Sequence, residues 1–390
     1  MTPTLDDFIT ENEPDTPTVH KLGAKWTVDP KQRTETDWTP YLEQKLLVSL
    51  ELEYNFKEGV ETITKDEFGK EQRHNTFDSA AREEVGVSEG DYASCPVCGD
   101  SGCWKCDPPK TIRIVKADCT IKGREFIVIG SPIPSEEFVK RLPLANIRKY
   151  FEPCYMDSMH SHVLIPSHNE KIPVSIGQNM WQLFRVYYPA WAYIFGNRKG
   201  SIIRGNWATW HDYDEDASDF DYWWNSGNEN TVKESTPRTI ARRYKHGLTF
   251  ASCYVDEDKK VFNHFDVEIR QTDASQDPEQ IVAARSLSKA LVLKSAQLAT
   301  KGVINIPEDR WTEIEPIIRD INRSNSSGLF TDLDLKLEQR QGAKMRAMAK
   351  EFYKDIRDLL TPYERQCVKR CVLNPIRKRH PNHAGYYGED

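Results

Sequence analysis

Val48-Ser-Leu-Glu-Leu-Glu-Tyr-Asn55 alternates apolar and polar residues without a break. Successive side chains of an extended strand point to opposite faces, so Val48, Leu50, Leu52 and Tyr54 share one face and Ser49, Glu51, Glu53 and Asn55 the other. Glu51 and Glu53 are then neighbouring carboxylates that repel each other, and a bivalent cation relieves that repulsion. For an isolated Glu-x-Glu the ordinary reading is a half-buried strand with a wetted polar face. Three later segments offer the partners that a metal site needs.

The first is a pair of β-branched runs, Thr111 to Ala117 and Arg124 to Gly130, separated by the turn Asp118-Cys-Thr-Ile-Lys-Gly123. This hairpin brings Asp118 near Glu125. The second is His160-Ser-His162-Val-Leu-Ile-Pro166, a strand whose two histidines project to one face. A hydrogen-bonded strand histidine is the plainer reading of each. The third is Val261 to Arg270, read as the second strand of a hairpin with Gly247 to Val255, with Asp266, Glu268 and Arg270 on one face.

Between these strands the chain carries two further features. Glu58 to Ala93 is charged and poor in aliphatics, which predicts a loop-rich excursion. It leads into Cys95-Pro-Val-Cys98 and Cys103-Trp-Lys-Cys106, two Cys-x-x-Cys pairs with two glycines between them. Four thiolates from two tight turns suit a structural tetrahedral zinc, a knuckle inserted over 94–107, and leave no open position for catalysis. A disulfide pair or redox site is the alternative. The other cysteines, Cys119, Cys154, Cys253, Cys367 and Cys371, show no such spacing and read as buried or free thiols.

Helices are expected from Pro134 to Glu152 with Ser135 as cap, and from Ile176 to Phe195 as a buried aromatic helix kinked at Pro189. Asp277 and Pro278 open another that runs to about Thr300, and two more cover Asp309 to Asn322 and Leu335 to Leu360. Residues 211–236 are acidic and rich in aromatics, which suits a loop that covers a site. The tail, with Arg365, Lys369, Arg370, Arg377, Lys378 and Arg379, reads most simply as a solvated basic helix face, although such a face can also bind phosphates.

Composition narrows the class. The 390 residues are 38% hydrophobic and 29% charged, enough for a sizeable core. A net charge of -7 gives no general attraction to nucleic acid or anionic lipid. Residues 1–40, rich in Thr, Pro, Asp and Glu, read as a flexible arm that could dock a protein partner. They hold no apolar segment like a secretion signal, and no run reaches membrane-span length, so a cytoplasmic protein without membrane contact is expected. No Gly-rich phosphate loop occurs; a bound nucleotide must be held by side chains and metal ions.

The order of these pieces resembles the amidoligase family of carboxylate-amine ligases, which is similar in fold to glutamine synthetase and glutamate-cysteine ligase. Ser49-Leu-Glu51-Leu-Glu53 stands where that family has Gly-x-Glu-x-Glu, lacking the glycine. Asp118-Cys-Thr120, Gly123-Arg-Glu125 and Ser131-Pro132 stand for its Asp-Gly-Ser, Gly-x-Glu and Ser-Pro segments. His160-Ser-His162 matches its His-x-His strand, Arg204 and Arg243-Tyr244 its basic segments, and Asp266-Val-Glu268-Ile-Arg270 its last strand. The resemblance covers about Leu46 to Thr300, with the zinc knuckle as an insertion.

The resemblance implies an α+β fold: a curved, mainly antiparallel sheet with helices on one face. The catalytic domain would span 41–305, with a helical region carrying a basic tail over 306–390. It implies an ATP-dependent ligase that joins a carboxylate to an amine on an amino acid, peptide or protein. Glu51, Glu53, Glu125 and Glu268 would hold magnesium, and His162 would sit beside the nucleotide phosphates or a metal. Arg204, Arg243 and Arg270 would contact the nucleotide, Arg204 and Arg270 carrying the transferring phosphate, and Asp118 would hold or deprotonate the amine. Two other classes compete: a silent, ligase-fold assembly protein of phage or mobile-element type, and a nucleic-acid binder using knuckle and tail.

Overall fold

The computed structural model describes residues 25–75, 112–116, 123–131, 133–153, 157–165, 171–196, 247–250, 253–256, 260–326 and 332–375. The chain opens with β1 (Thr27–Asp29), then α1 (Thr39–Lys45) and the long strand β2 (Leu47–Phe56). A short hairpin, β3 (Glu61–Lys65) and β4 (Glu71–Asn75), precedes β5 (Ile112–Lys116) and β6 (Gly123–Ser131). Two short helices, α2 (Ser135–Arg141) and α3 (Leu144–Tyr150), lead to β7 (Phe151–Glu152) and β8 (Met159–Leu164). Next come β9 (Ile172–Pro173), the 22-residue helix α4 (Val174–Phe195), β10 (Leu248–Thr249) and β11 (Tyr254–Asp256). The last strands are β12 (Val261–His264), β13 (Asp266–Ile269) and, after helix α5 (Pro278–Ala299), β14 (Val303–Asn305). Helices α6 (Glu308–Ser326), α7 (Asp332–Ile356) and α8 (Pro362–Leu373) follow.

This is an α+β molecule with antiparallel sheets. The main, seven-stranded sheet runs β10-β13-β8-β2-β6-β5, with β7 also paired to β2. Strand β2 is central because its alternation suits both neighbours at once: Glu51 lies opposite His160 on one side and Ile127 on the other. Its apolar side, Val48, Leu50, Leu52 and Tyr54, is fully buried with Phe126, Val128, Met159, Val163, Val267 and Ile269 of the adjoining strands. Each such side chain contributes roughly 1.5 to 3 kcal/mol by leaving water. Helix α5 packs on this face of β2 and β8, and α4 lies against α5. The Tyr54 hydroxyl stays on that face by donating to the carbonyl of Ser275, 2.6 Å away.

Asp277 caps α5 by accepting from the amide of Gln280, and Pro278 sits at the first turn where its missing N–H costs nothing. Helix α4 holds Pro189 in its interior and is buried along almost its whole length.

Several expectations need correction. Pro134 to Glu152 is not one helix: it breaks at Pro143 between α2 and α3, as the restriction on the residue before a proline requires. Ser135 makes no cap; its hydroxyl bonds Glu364 and Arg285 instead. The charged stretch after β2 contains the β3–β4 hairpin, turned at Asp66, whose carboxylate accepts from the amides of Phe68 and Lys70 while Gly69 takes a φ of 77°. Residues 27–29, expected within a flexible arm, instead form β1 and pair with β14, and Thr39 and Pro40 open α1. Gly247 to Arg270 is more than a single hairpin, because β10 pairs with β13 in the main sheet while β11, β12 and β9 form a separate one. Helices α6, α7 and α8 pack on α4 and α5, so the C-terminal region shares the same core.

Among the described residues no helix is long and apolar enough to cross a membrane. Cys253, Cys367 and Cys371 are buried, as expected of them. The cysteines of the expected knuckle, the loop 211–236 and the end of the basic tail lie outside the described residues.

Candidate metal centre

The polar face of the main sheet gathers charge from four adjacent strands. β2 contributes Glu51 and Glu53, β6 Glu125, β8 His160 and His162, and β13 Asp266, Glu268 and Arg270. Register does the gathering: Glu53 lies across from Glu125, Glu51 from His160, and Glu268 from His162. Because every strand alternates with period two, one correct pairing puts all these polar side chains on the same side.

Glu53 and Glu125 are both buried, each 3% exposed, and directly opposed. Like charges facing each other across an antiparallel pair are unfavourable without compensation. Glu53 is held by the backbone amide of Ser158 at 2.9 Å and by its hydroxyl at 2.5 Å, both donating to Oε2. The same hydroxyl lies 2.7 Å from His160 Nε2. His160, almost wholly buried, turns Nδ1 towards Glu51 Oε2 at 3.1 Å and Glu268 Oε1 at 3.3 Å. Arg270 bonds Glu268 from the neighbouring position on the same face.

His162 completes the cluster. Its Nδ1 is 3.2 Å from Asp266 Oδ1, and its Nε2 is 3.4 Å from Glu51 Oε1. That second approach is close enough for attraction but is not a hydrogen bond, and Nε2 is buried with no hydrogen-bond partner. Asp266 is braced from behind by Cys253, whose thiol lies 3.2 Å from its carbonyl. Ligand atoms of Glu51, His162 and Glu268 all lie within 4.8 Å of one another.

The electrostatics follow from this crowding. Burial alone would raise the Glu51 carboxyl, but its hydrogen bond with His160 and charge attraction from His162 and His160 hold it far below the usual carboxylate range. Burial alone would lower His162, yet its hydrogen bond to Asp266, the close approach of Glu51 and the nearby Glu268 charge pull it well above an ordinary histidine. The charge excess that holds a proton there can hold a metal ion in its place. The donor set therefore fits a divalent cation: carboxylate oxygens, an imidazole nitrogen, and a buried nitrogen without a hydrogen-bond partner.

Of the residues singled out from sequence, Glu51, Glu53, Glu125, Glu268, Arg270 and His162 come together on this face. Asp118, Arg204, Arg243, Cys95, Cys98, Cys103 and Cys106 lie outside the described residues. Sequence reasoning left out three residues that touch the cluster. His160 was on the right face but read as an ordinary strand histidine; Asp266 was on the right face with no role; Ser158 was not considered. One more step of the alternation Ser158-Met-His160-Ser-His162 would have found Ser158. The chain matches no protein-family model and no curated protein.

Proposed function

We propose that the protein is an ATP-dependent carboxylate-amine ligase on a glutamine synthetase-like fold, with the inserted cysteine cluster as a structural zinc knuckle. The observation that carries the reading is the meeting of Glu51, His162 and Glu268 on three adjacent strands, with Arg270 against Glu268. A carboxylate resists attack by an amine because it is negatively charged and its oxygen leaves badly. In the proposed reaction its oxygen attacks the γ-phosphorus of ATP and ADP departs; the amine nitrogen then attacks the acyl carbon of the resulting acyl phosphate, inorganic phosphate leaves, and the nitrogen gives up a proton to leave the amide.

Divalent ions, when bound, would neutralise charge on the transferring group. Glu51, Glu53, Glu125 and Glu268 would hold them, with magnesium as the ion that the family resemblance implies. The planar guanidinium of Arg270 suits the equatorial phosphate oxygens, and Arg204 would share that task. Asp118 would take the proton that the amine must lose before it attacks, and Arg243 would contact the nucleotide.

The test is ADP release across panels of amino acids, polyamines and peptides, offered singly and in acid–amine pairs. Release is expected only when a matching acid and amine are both present, and it should disappear in Glu51→Gln combined with Glu268→Gln. Full activity in that double variant would sink the assigned roles.

A further inference from the structure

Helix α7 has a basic outer face. Met345, Met348, Ala349, Phe352 and Ile356 point inward and are buried. On the opposite side Arg340, Lys344, Lys350 and Lys354 fall within an arc of about 120°, with the small Ala343 and Ala347 between them. Arg340 meets Asp320 only at 3.9 Å. Among the described residues no acid pairs with Lys344, Lys350 or Lys354. At 1.5 Å per residue the stripe is about 21 Å long.

Such a stripe is ordinarily a solvated face, so a second feature must decide. Lys25 supplies it. Its ammonium lies 2.6 Å from Asp355 and 3.4 Å from Glu351, in the last turns of α7 on the flank of the stripe. Trp26, the next residue, packs against the core. The chain before Lys25 therefore sets out from the basic face. Residues 1–24 hold Asp6, Asp7, Glu11, Glu13 and Asp15 against one lysine, Lys21.

Reach and spacing both suit a contact. The ten residues from Asp15 to Lys25 span up to about 33 Å, more than the length of the stripe. Glu11, Glu13 and Asp15 in an extended segment would lie about 7 Å apart on one side. Lys344, Lys350 and Lys354 follow one another at about 9 and 6 Å along the helix axis. An exposed ion pair contributes only about 0.2 to 1 kcal/mol, too little to hold a free peptide. A segment tethered at Lys25, however, is present at an effective concentration on the order of 1 mM, which populates a weak contact. A nucleic acid must instead arrive from solution against a net charge of -7.

We infer that the basic face of α7 is the docking surface for the chain's own acidic segment, residues 1–24. The segment covers Lys344, Lys350 and Lys354 at low ionic strength, screens them from other polyanions, and leaves them as salt rises. This goes beyond the ligase reading and does not depend on it.

Zero-length carbodiimide coupling tests the inference, because it joins a carboxylate only to an amine already in contact with it. A mixture of 15N-labelled and unlabelled full-length chains would be coupled at ionic strengths of about 0.01 M and 1 M, between which the screening length falls from about 30 Å to about 3 Å. Lys140 and Glu136, an exposed pair 2.8 Å apart within one helix, give the reference link, because salt cannot carry them apart. Expected are links from Glu11, Glu13 or Asp15 to Lys344, Lys350 or Lys354 within chains of a single isotope. Relative to the reference they should fall at least about tenfold at high salt. The reference link without any of these overturns the inference, and no variant has to fold for that result. Links that keep their yield at high salt overturn docking by charge. Links of mixed isotope overturn it in favour of a second copy as the source of the acids. A short RNA that shields the three lysines from acetylation while the segment stays unlinked overturns it in favour of a nucleic acid.

Discussion

Two of the polar clusters among the described residues balance their charge differently. Among the helices, buried Arg310 of α6 reaches Glu351 of α7 at 3.2 Å and Glu313 at 3.7 Å. Lys25 bonds Asp355 at 2.6 Å and approaches Glu351 at 3.4 Å, while the Tyr187 hydroxyl donates to Asp355. Burial and the neighbouring acids push that hydroxyl well above the ordinary tyrosine range, so it stays a donor. Two cations thus face two half-buried acids, with Glu313 at the exposed edge. On the sheet, Glu51, Glu53, Glu125, Asp266 and Glu268 share a face with two imidazoles and one guanidinium among the described residues. In the helical cluster each acid faces a cation, and its role is to join α4, α6 and α7. The sheet cluster gathers five acids around two imidazoles and one guanidinium, and that imbalance marks it as a place for a ligand.

The comparison breaks most visibly at Arg310. Arg310→Met removes the buried partner of half-buried Glu351 and leaves it one cation instead of two; breaking a fully buried pair costs about 3 to 5 kcal/mol, so a loss of about 2 to 3 kcal/mol is expected here. Urea unfolding should show that loss, and the double variant Arg310→Met, Glu351→Leu should recover most of it. A double variant no more stable than the single one would show that the helical cluster is not self-contained.

On the sheet the expected signature is an ion-dependent gain in stability. Mg2+ at a hundred times its dissociation constant should stabilise the natural chain by about 2.7 kcal/mol, and Arg310→Met should keep that increment. Glu268→Gln should lose it. Equal thermal shifts in Glu268→Gln and the natural chain would remove the distinction between the two clusters.

Much of the sheet was legible in the sequence because alternation reports directly which side chains share a face. That is why β2, β6, β8 and β13 and their acids could be read without coordinates. What alternation does not report is register across strands. His160 and His162 look equivalent from spacing alone, yet His160 sits opposite Glu51 and between two acids, while His162 lies opposite Ser49 and Glu268 and leans on Asp266. The β3–β4 hairpin was hidden because its strands carry charge in place of a core face, and only the Asp66 turn with Gly69 marks it. Ser135 misled because a serine ahead of two glutamates reads as a helix cap, and its actual partners, Glu364 and Arg285, are more than a hundred residues away.

Those partners set the smallest expected effect. Glu364 is the third residue of α8, where its carboxylate accepts from the amide of Thr361 at 3.0 Å while the Thr361 hydroxyl accepts from the amide of Glu364 at 3.3 Å. The Ser135 hydroxyl also donates to it, and in turn accepts from Arg285 at 2.6 Å. Burial works to raise the Glu364 carboxyl, but these bonds and the Arg285 charge outweigh it and hold the group below the ordinary glutamate value. Arg285 itself is pushed down to about 10 by burial. A carboxylate depressed in the folded state stabilises it above the unfolded value, about 4.3, and the contribution drains away as pH falls through the lower folded value. At pH 7, Glu364→Gln should therefore cost about 1 kcal/mol, the scale of a lost helix cap. The difference should shrink as the natural chain is acidified below about pH 4.3. This third network is balanced within the chain like the helical one, so its stability should not respond to Mg2+. A gap between the two proteins that stays constant from neutral to acid pH would mean that Glu364 contributes by shape and not by charge.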